Sequence, residues 1–250
     1  MSLRVPPELT DRIIDFLWDC QLDLCACSLV CRQWLPASRC HIFETIAICP
    51  DSRLLALMQF PQSVVANHTR TLNFRLWLPD EIDIAAVRIL RHLPNALNLR
   101  TVIVGAVPPS PAQFPVVPLV EKLSLQHTKF ASYNDFAEFL LKFTTLRELE
   151  LGWISWEDFD YDVQCSRVTP MLENLSIQGF EEAPDILQWL SSADYGPQTR
   201  GLTLYIPNKT DTTSLNIISR FLHRLNDDLQ YLRLDMFPSP YLQCMPYFLL

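Results

Sequence analysis

The sequence predicts an α/β chain in which a short N-terminal helical unit precedes a series of strand-and-helix units. Three observations predict it. The pattern apolar-x-x-apolar-x-apolar recurs along most of the 250 residues, the segments between its copies carry helical periodicity, and residues 1–44 show helix signals without the pattern.

The first element opens at Pro6 and Pro7, residues suited to a helix start, with Glu8 and Asp11 favouring its N-terminal dipole. Leu9, Ile13, Phe16 and Leu17 form one stripe of it, with Ile14 beside them. Two more short helices are expected, one around residues 24–30 and one over residues 32–43, with Leu29, Val30, Trp34, Leu35 and Phe43 as their apolar residues. A three-helix unit of about 40 residues rarely hides that much apolar surface by itself, so it needs a partner.

The strands follow. Ile46-x-Ile48 comes first, then residues 71–74, Leu99-x-x-Val102-x-Val104, Val120-x-x-Leu123-x-Leu125, Leu146-x-x-Leu149-x-Leu151, Leu172-x-x-Leu175-x-Ile177, Leu202-x-Leu204 and Leu229-x-x-Leu232-x-Leu234. Most copies stand 26 to 30 residues apart, enough for a strand, a turn, a helix and a return. Ile82, Ala86, Ile89 and Leu93 share a helical face, as do Leu215, Ile218, Leu222 and Leu225. A further helix is expected from Asn134 to Lys142, with Ser132 and Asp135 near its start. Residues 108–118 hold five prolines where a helix is due, and proline removes a donor that a helix interior needs, so this stretch is expected to run extended. A stiff connector is the preferred reading over a PxxP ligand for an SH3-like domain. Residues 245–250 are apolar and follow the last repeat directly, which suggests that the repeats lack a polar C-terminal cap.

Composition narrows the function. With 49% hydrophobic and 19% charged residues the chain buries a substantial core, and its net charge of -8 makes nucleic acid and anionic membranes poor partners. There are 5 Gly and 19 Pro, against about 17 and 12 at average usage. The glycines stand too far apart for a phosphate-binding loop. No secretory signal and no apolar run of membrane length is visible, so an intracellular location, in cytoplasm or nucleus, is expected. The eight cysteines, six of them between Cys20 and Cys49, are then read as reduced thiols.

Val5 to Leu17 reads Val-Pro-Pro-Glu-Leu-Thr-Asp-Arg-Ile-Ile-Asp-Phe-Leu, and residues 26–35 read Ala-Cys-Ser-Leu-Val-Cys-Arg-Gln-Trp-Leu. This stretch resembles the F-box, whose pattern runs Leu-Pro-x-Glu-Leu, then Ile and Leu at helical spacing, then Val-Cys-(Arg/Lys)-x-Trp. Val5 in place of Leu is the one departure. The whole chain resembles the F-box proteins abundant in basidiomycete fungi, and the repeats resemble an irregular leucine-rich-repeat solenoid with parallel strands on a concave face and helices outside. The resemblance implies an F-box over residues 1–44 and a substrate-recognition domain over residues 45–250. It implies a non-catalytic substrate receptor of an SCF-type ubiquitin ligase, docked on the adaptor subunit and through it on cullin, with an unknown protein as target. The alternative is an F-box scaffold acting outside ubiquitination. Carried over residue by residue, the adaptor contacts fall on Val5, Pro6, Leu9, Ile13, Ile14, Leu17, Val30, Cys31 and Trp34. The competing reading packs these residues inside the chain, and for Phe16, Leu29 and Phe43 the two readings are evenly matched.

Strand alternation turns Arg75, Glu148, Glu150, Tyr205, Arg233 and Asp235 outward, onto the face where a target is expected. Trp153, Trp156 and Phe159 stand among Glu157, Asp158, Asp160 and Asp162 in what reads as a longer loop, suited to an exposed recognition site for a target of basic character. Trp77, Phe180 and Phe237 are read as core. No catalytic pattern, metal ligand set or cofactor motif is expected: the five histidines are scattered, the cysteines sit in a helical stretch, and a solvated face is preferred to an acid/base role for Glu148 and Glu150.

Overall fold

A computed structural model describes residues 6–48, 68–75, 100–105, 116–158, 171–179, 186, 198–207, 212–225 and 228–237. The expected helix over residues 82–93, most of the proline-rich stretch, Trp77, Phe159 and residues 238–250 lie outside the described residues.

Three helices come first: α1 (Pro7–Asp15), α2 (Gln21–Val30) and α3 (Leu35–Ile42). Pro7 occupies the first turn of α1, where its missing N–H costs nothing, and Glu8 faces the positive end of the helix. Cys31 is extended and ends α2; residues 32–34 form a turn, so α3 begins three residues later than expected.

Eight strands then pair into one sheet, in the order β1 (Thr45–Ile48), β2 (Thr71–Arg75), β3 (Thr101–Gly105), β4 (Lys122–Gln126), β6 (Glu148–Gly152), β8 (Met171–Gln178), β9 (Gln198–Pro207) and β10 (Tyr231–Phe237). All seven pairings are parallel. The architecture is α/β. The register has a direct sequence counterpart, since Ile46, Leu72, Val102, Leu123, Leu149, Leu175, Leu202 and Leu232 stand side by side. A second row runs from Ile48 through Phe74, Val104, Leu125, Leu151, Ile177 and Leu204 to Leu234. Corresponding positions of the repeat are therefore neighbours in space, and burying these rows is what stacks the units. The side chains described in the two rows are buried up to β9, whereas Leu232 and Leu234 on the edge strand β10 remain partly exposed.

Thr199 stands where other repeats carry Val120, Leu146 or Leu172, and it is buried. Its hydroxyl donates to the Gly201 carbonyl at 2.8 Å, which meets the cost of burying a polar group.

Between β4 and β8 the chain adds β5 (Lys129–Ser132), α4 (Tyr133–Leu140) and β7 (Ser155–Asp158), and β5 and β7 form a second, two-stranded parallel sheet. Ser132 caps α4 by accepting from the Asp135 N–H at 3.1 Å, as its position suggested. Phe130, Tyr133, Phe136, Phe139, Phe143 and Trp156 pack together beneath it; Phe136 and Trp156 stack at 5.6 Å and Phe130 meets Phe136 edge-on at 5.3 Å. The expected loop around Trp156 is thus a strand, and Trp156, 4% exposed, is core. Its neighbours Glu157 and Asp158 disguised a short strand as an acidic loop. The last helix, α5 (Thr212–Leu225), turns Ile218, Phe221 and Leu225 inward.

Candidate functional site

The helical unit is apolar on two sides. Thr10 and Ile14 of α1 pack inward with Leu24 and Cys27 of α2 and Ser38 of α3, and Leu17 and Trp34 are half-buried. The hydroxyls inside find partners, Thr10 on the Pro6 carbonyl at 3.3 Å and Ser38 on the Trp34 carbonyl at 2.9 Å. Turned outward are Leu9 and Ile13 one turn apart on α1, Phe16 and Trp18 in the turn after it, and Leu22, Leu29 and Val30 on α2. Leu22 and Leu29 are seven residues apart and so share a helical face. Phe16 is 83% and Leu29 85% exposed. Seven large apolar side chains facing water in one small unit are far more than scattered surface residues require.

Of the residues carried over from the motif, Pro6, Leu9, Ile13, Val30 and Cys31 are exposed. Ile14, at 0% exposure, is a correction: it holds the unit together and cannot touch a partner while the unit stays folded. Val5 lies outside the described residues. Phe16 and Leu29 lie outside the fold's interior, whereas Phe43 packs against the core of the sheet. Trp18 and Leu22 were missed because they fall off the stripe; what marks them in the sequence is their place beside the motif.

The second surface is the face of the large sheet that carries the outward strand positions. Glu148 and Glu150 are half-buried there and are not free acids, because the Lys122 ammonium on the adjacent strand lies 3.7 Å from one and 3.1 Å from the other. Burial draws the Lys122 ammonium down, but its hydrogen bond to Glu150 and the charges of Glu150 and Glu148 outweigh that and leave it above its ordinary value. On β10 Arg233 and Asp235 pair at 2.8 Å, and Tyr205 on β9 stands half-buried in register with Asp235. Arg75 ends β2 and Asp158 ends β7, and the side chains of both are outside the described part.

A feature that spacing did not reveal lies at the ends of β4, β6 and β8. His127, Trp153 and Gly179, each the first residue past its strand, all adopt left-handed backbone with φ of 51°, 53° and 76°. The His127 N–H donates to the Gly152 carbonyl at 2.7 Å and the Trp153 N–H to the Gln178 carbonyl at 3.4 Å, so the first two corners are each tied to the next strand. The turns align the side chains, and the imidazole of His127 stacks on the indole of Trp153 at 4.7 Å with planes 6° apart. The indole in turn lies over Gly179, where a Cβ would come within 2.8 Å of it. Trp153 is half-buried and His127 exposed, so Trp153 remains on this surface while Trp156 does not. Left-handed backbone at residues as bulky as His and Trp is uncommon and marks a place that the surrounding structure holds in position.

Cys20, Cys25, Cys27, Cys31 and Cys40 are free thiols, and a hydrogen bond with Asp23 raises the Cys20 thiol, which keeps it protonated at neutral pH. Among the described residues no group of three or more His, Cys, Asp or Glu side chains could hold a metal ion, and no helix is long and apolar enough to cross a membrane. Comparison with family models, with curated proteins and with solved structures finds no match to the chain.

Proposed function

We propose that the chain is a non-catalytic substrate-recognition subunit of an SCF-type ubiquitin ligase, whose N-terminal helices are an F-box that docks on the adaptor subunit and whose leucine-rich-repeat-like sheet binds a target protein. The observation that carries the reading is the coincidence of the motif with unpartnered apolar surface. Leu9, Ile13, Phe16, Leu29 and Val30 are exposed within the two segments that match the F-box pattern, and Leu22 is exposed between them. Covering such side chains contributes about 1.5–3 kcal/mol each at full burial, so a partner helix surface gains far more from them than water does. Trp34, half-buried beside this surface, is the anchor of the motif, since tryptophan is among the commonest residues to dominate an interface.

The polar face suits the second half of the reading. Among the described residues its outward charged groups are paired, Lys122 with Glu148 and Glu150, and Arg233 with Asp235, so it offers hydrogen-bonding side chains held in place rather than a strong field. Trp153 on its left-handed corner adds an aromatic edge.

The test is reconstitution with adaptor and cullin. The chain is expected to co-elute with the adaptor and to direct ubiquitin transfer to a captured target, and Trp34→Ala is expected to weaken adaptor binding by about 2 kcal/mol. Co-elution without ubiquitin transfer would favour a scaffold instead. Co-elution of the Trp34 variant at unchanged affinity would contradict the assignment of the docking surface.

A further inference from the structure

Among the described residues β10 has a strand on one side alone, β9, so every second residue of it turns its backbone N–H and C=O toward an open edge. The apolar rows of the sheet run out at the same place. Leu202 and Leu204 on β9 are fully buried, whereas Leu232 and Leu234, next in the two rows, are 42% and 49% exposed. At the opposite edge Ile46 on β1 is buried and Phe43 packs against the core. One further strand beside β10 would both extend its hydrogen-bond ladder and cover its leucines.

The sequence of β10 narrows what that strand can be. Residues 231–237 read Tyr-Leu-Arg-Leu-Asp-Met-Phe, so Leu234 is the centre of the strand and Arg233 and Asp235 flank it with opposite charges. We infer that β10 is the meeting edge of two copies of this chain, paired antiparallel across a twofold axis at Leu234. That axis sets all seven residues of β10 opposite those of the second copy. Directly opposed residues of an antiparallel pair lie on the same face. On one face Arg233 then stands against the partner's Asp235, and Asp235 against the partner's Arg233. The ion pair within each copy, 2.8 Å long, joins its equivalent in a ring of four alternating charges. On the other face the two copies of Leu234 meet at the axis, and Leu232 stands opposite position 236.

The charges also reject the neighbouring registers. Moving the axis one residue either way opposes Arg233 to its own copy or Asp235 to its own copy, and like charges directly opposed are unfavourable. Charged residues on an edge strand ordinarily guard it against other strands, but this pair is complementary to itself. The edge carries one cation and one anion, so two copies meet there without net charge although each chain carries -8. Arg233 is largely exposed and its pairs are screened, so the charges set the register while the backbone ladder and the leucines supply the affinity. Residues 238–250 compete for the same edge, and Pro238, Pro240 and Pro246 among them lack the N–H that a strand ladder uses. The dimer does not rest on the proposed function, although under that reading it joins two target-binding sheets into one continuous surface.

Sedimentation velocity of the full chain over a range of micromolar concentrations tests it, beside Arg233→Glu, Asp235→Arg and the double variant carrying both, with circular dichroism as the check of folding. The wild type is expected to form a reversible dimer. Either single substitution sets two like-charge pairs across the axis and is expected to raise the dissociation constant about tenfold or more, and the double variant is expected to return to within about threefold of the wild type. A wild type that stays monomeric throughout, as it would with residues 238–250 seated on the edge, overturns the inference. So does a dimer indifferent to the single substitutions, as association through the exposed apolar helices would give, or a folded double variant as weak as the single ones.

Discussion

Ile13 and Ile14 are adjacent, identical in chemistry and opposite in burial, so truncating each to Ala separates the proposed docking surface from the interior of the helical unit. Ile14 is 0% exposed and Ile13 46%. Ile14→Ala removes about three buried carbons and leaves a cavity in the interior of the helical unit, which costs roughly 2–5 kcal/mol. For Ile13→Ala about half of that transfer term is already lost to water and no cavity forms, leaving a cost of about 1 kcal/mol. Native-state hydrogen exchange of the α1 and α2 amides reads both values as local opening free energies. Titration with the adaptor should reverse the order. Ile13→Ala is expected to raise the dissociation constant about tenfold, and Ile14→Ala to change it less than threefold where the unit remains folded. Equal destabilisation by the two substitutions, or a larger binding loss for Ile14, would refute the assignment of inner and outer faces.

Gly179→Ala places a Cβ against the Trp153 indole on left-handed backbone, and should cost about 2–3 kcal/mol in urea unfolding and change the tryptophan fluorescence. Ser132→Ala removes the acceptor of the α4 cap and should cost about 1 kcal/mol by the same assay. Lys122→Met leaves two half-buried carboxylates facing each other and should destabilise by about 1 kcal/mol. Because the raised Lys122 ammonium contributes stability at every pH below its ordinary value and loses it only as pH climbs through the raised one, that cost should stay constant between pH 6 and 9.

The register was legible because burial selects it. Leu123, Leu149, Leu175 and Leu202 recur at nearly constant spacing, and rows of equivalent residues are what a stacked parallel sheet must bury. The inner and outer faces of α1 were not legible, because Leu9 and Ile13 on one face are as apolar as Ile14 on the other. A stripe marks the inside only when the rest of the helix is polar. Trp156 was misread for a related reason: alternation in a four-residue strand is too short to outweigh flanking acids. The stack of His127 on Trp153 was out of reach because it depends on φ at three separate corners, two of them without glycine. The pairing of Glu148 and Glu150 with Lys122 needed only the register, since the repeat alignment already sets these residues side by side.

The most direct measurement is calorimetric titration of the purified chain with the adaptor subunit, beside a variant carrying Leu9→Asp, Ile13→Asp and Leu29→Asp, all at side chains that face water. The expected result is a one-to-one complex with the wild-type chain and none with the variant, at unchanged far-ultraviolet circular dichroism. Absence of binding by the wild type, or equal binding by the folded variant, would contradict the central claim that these helices are a docking surface.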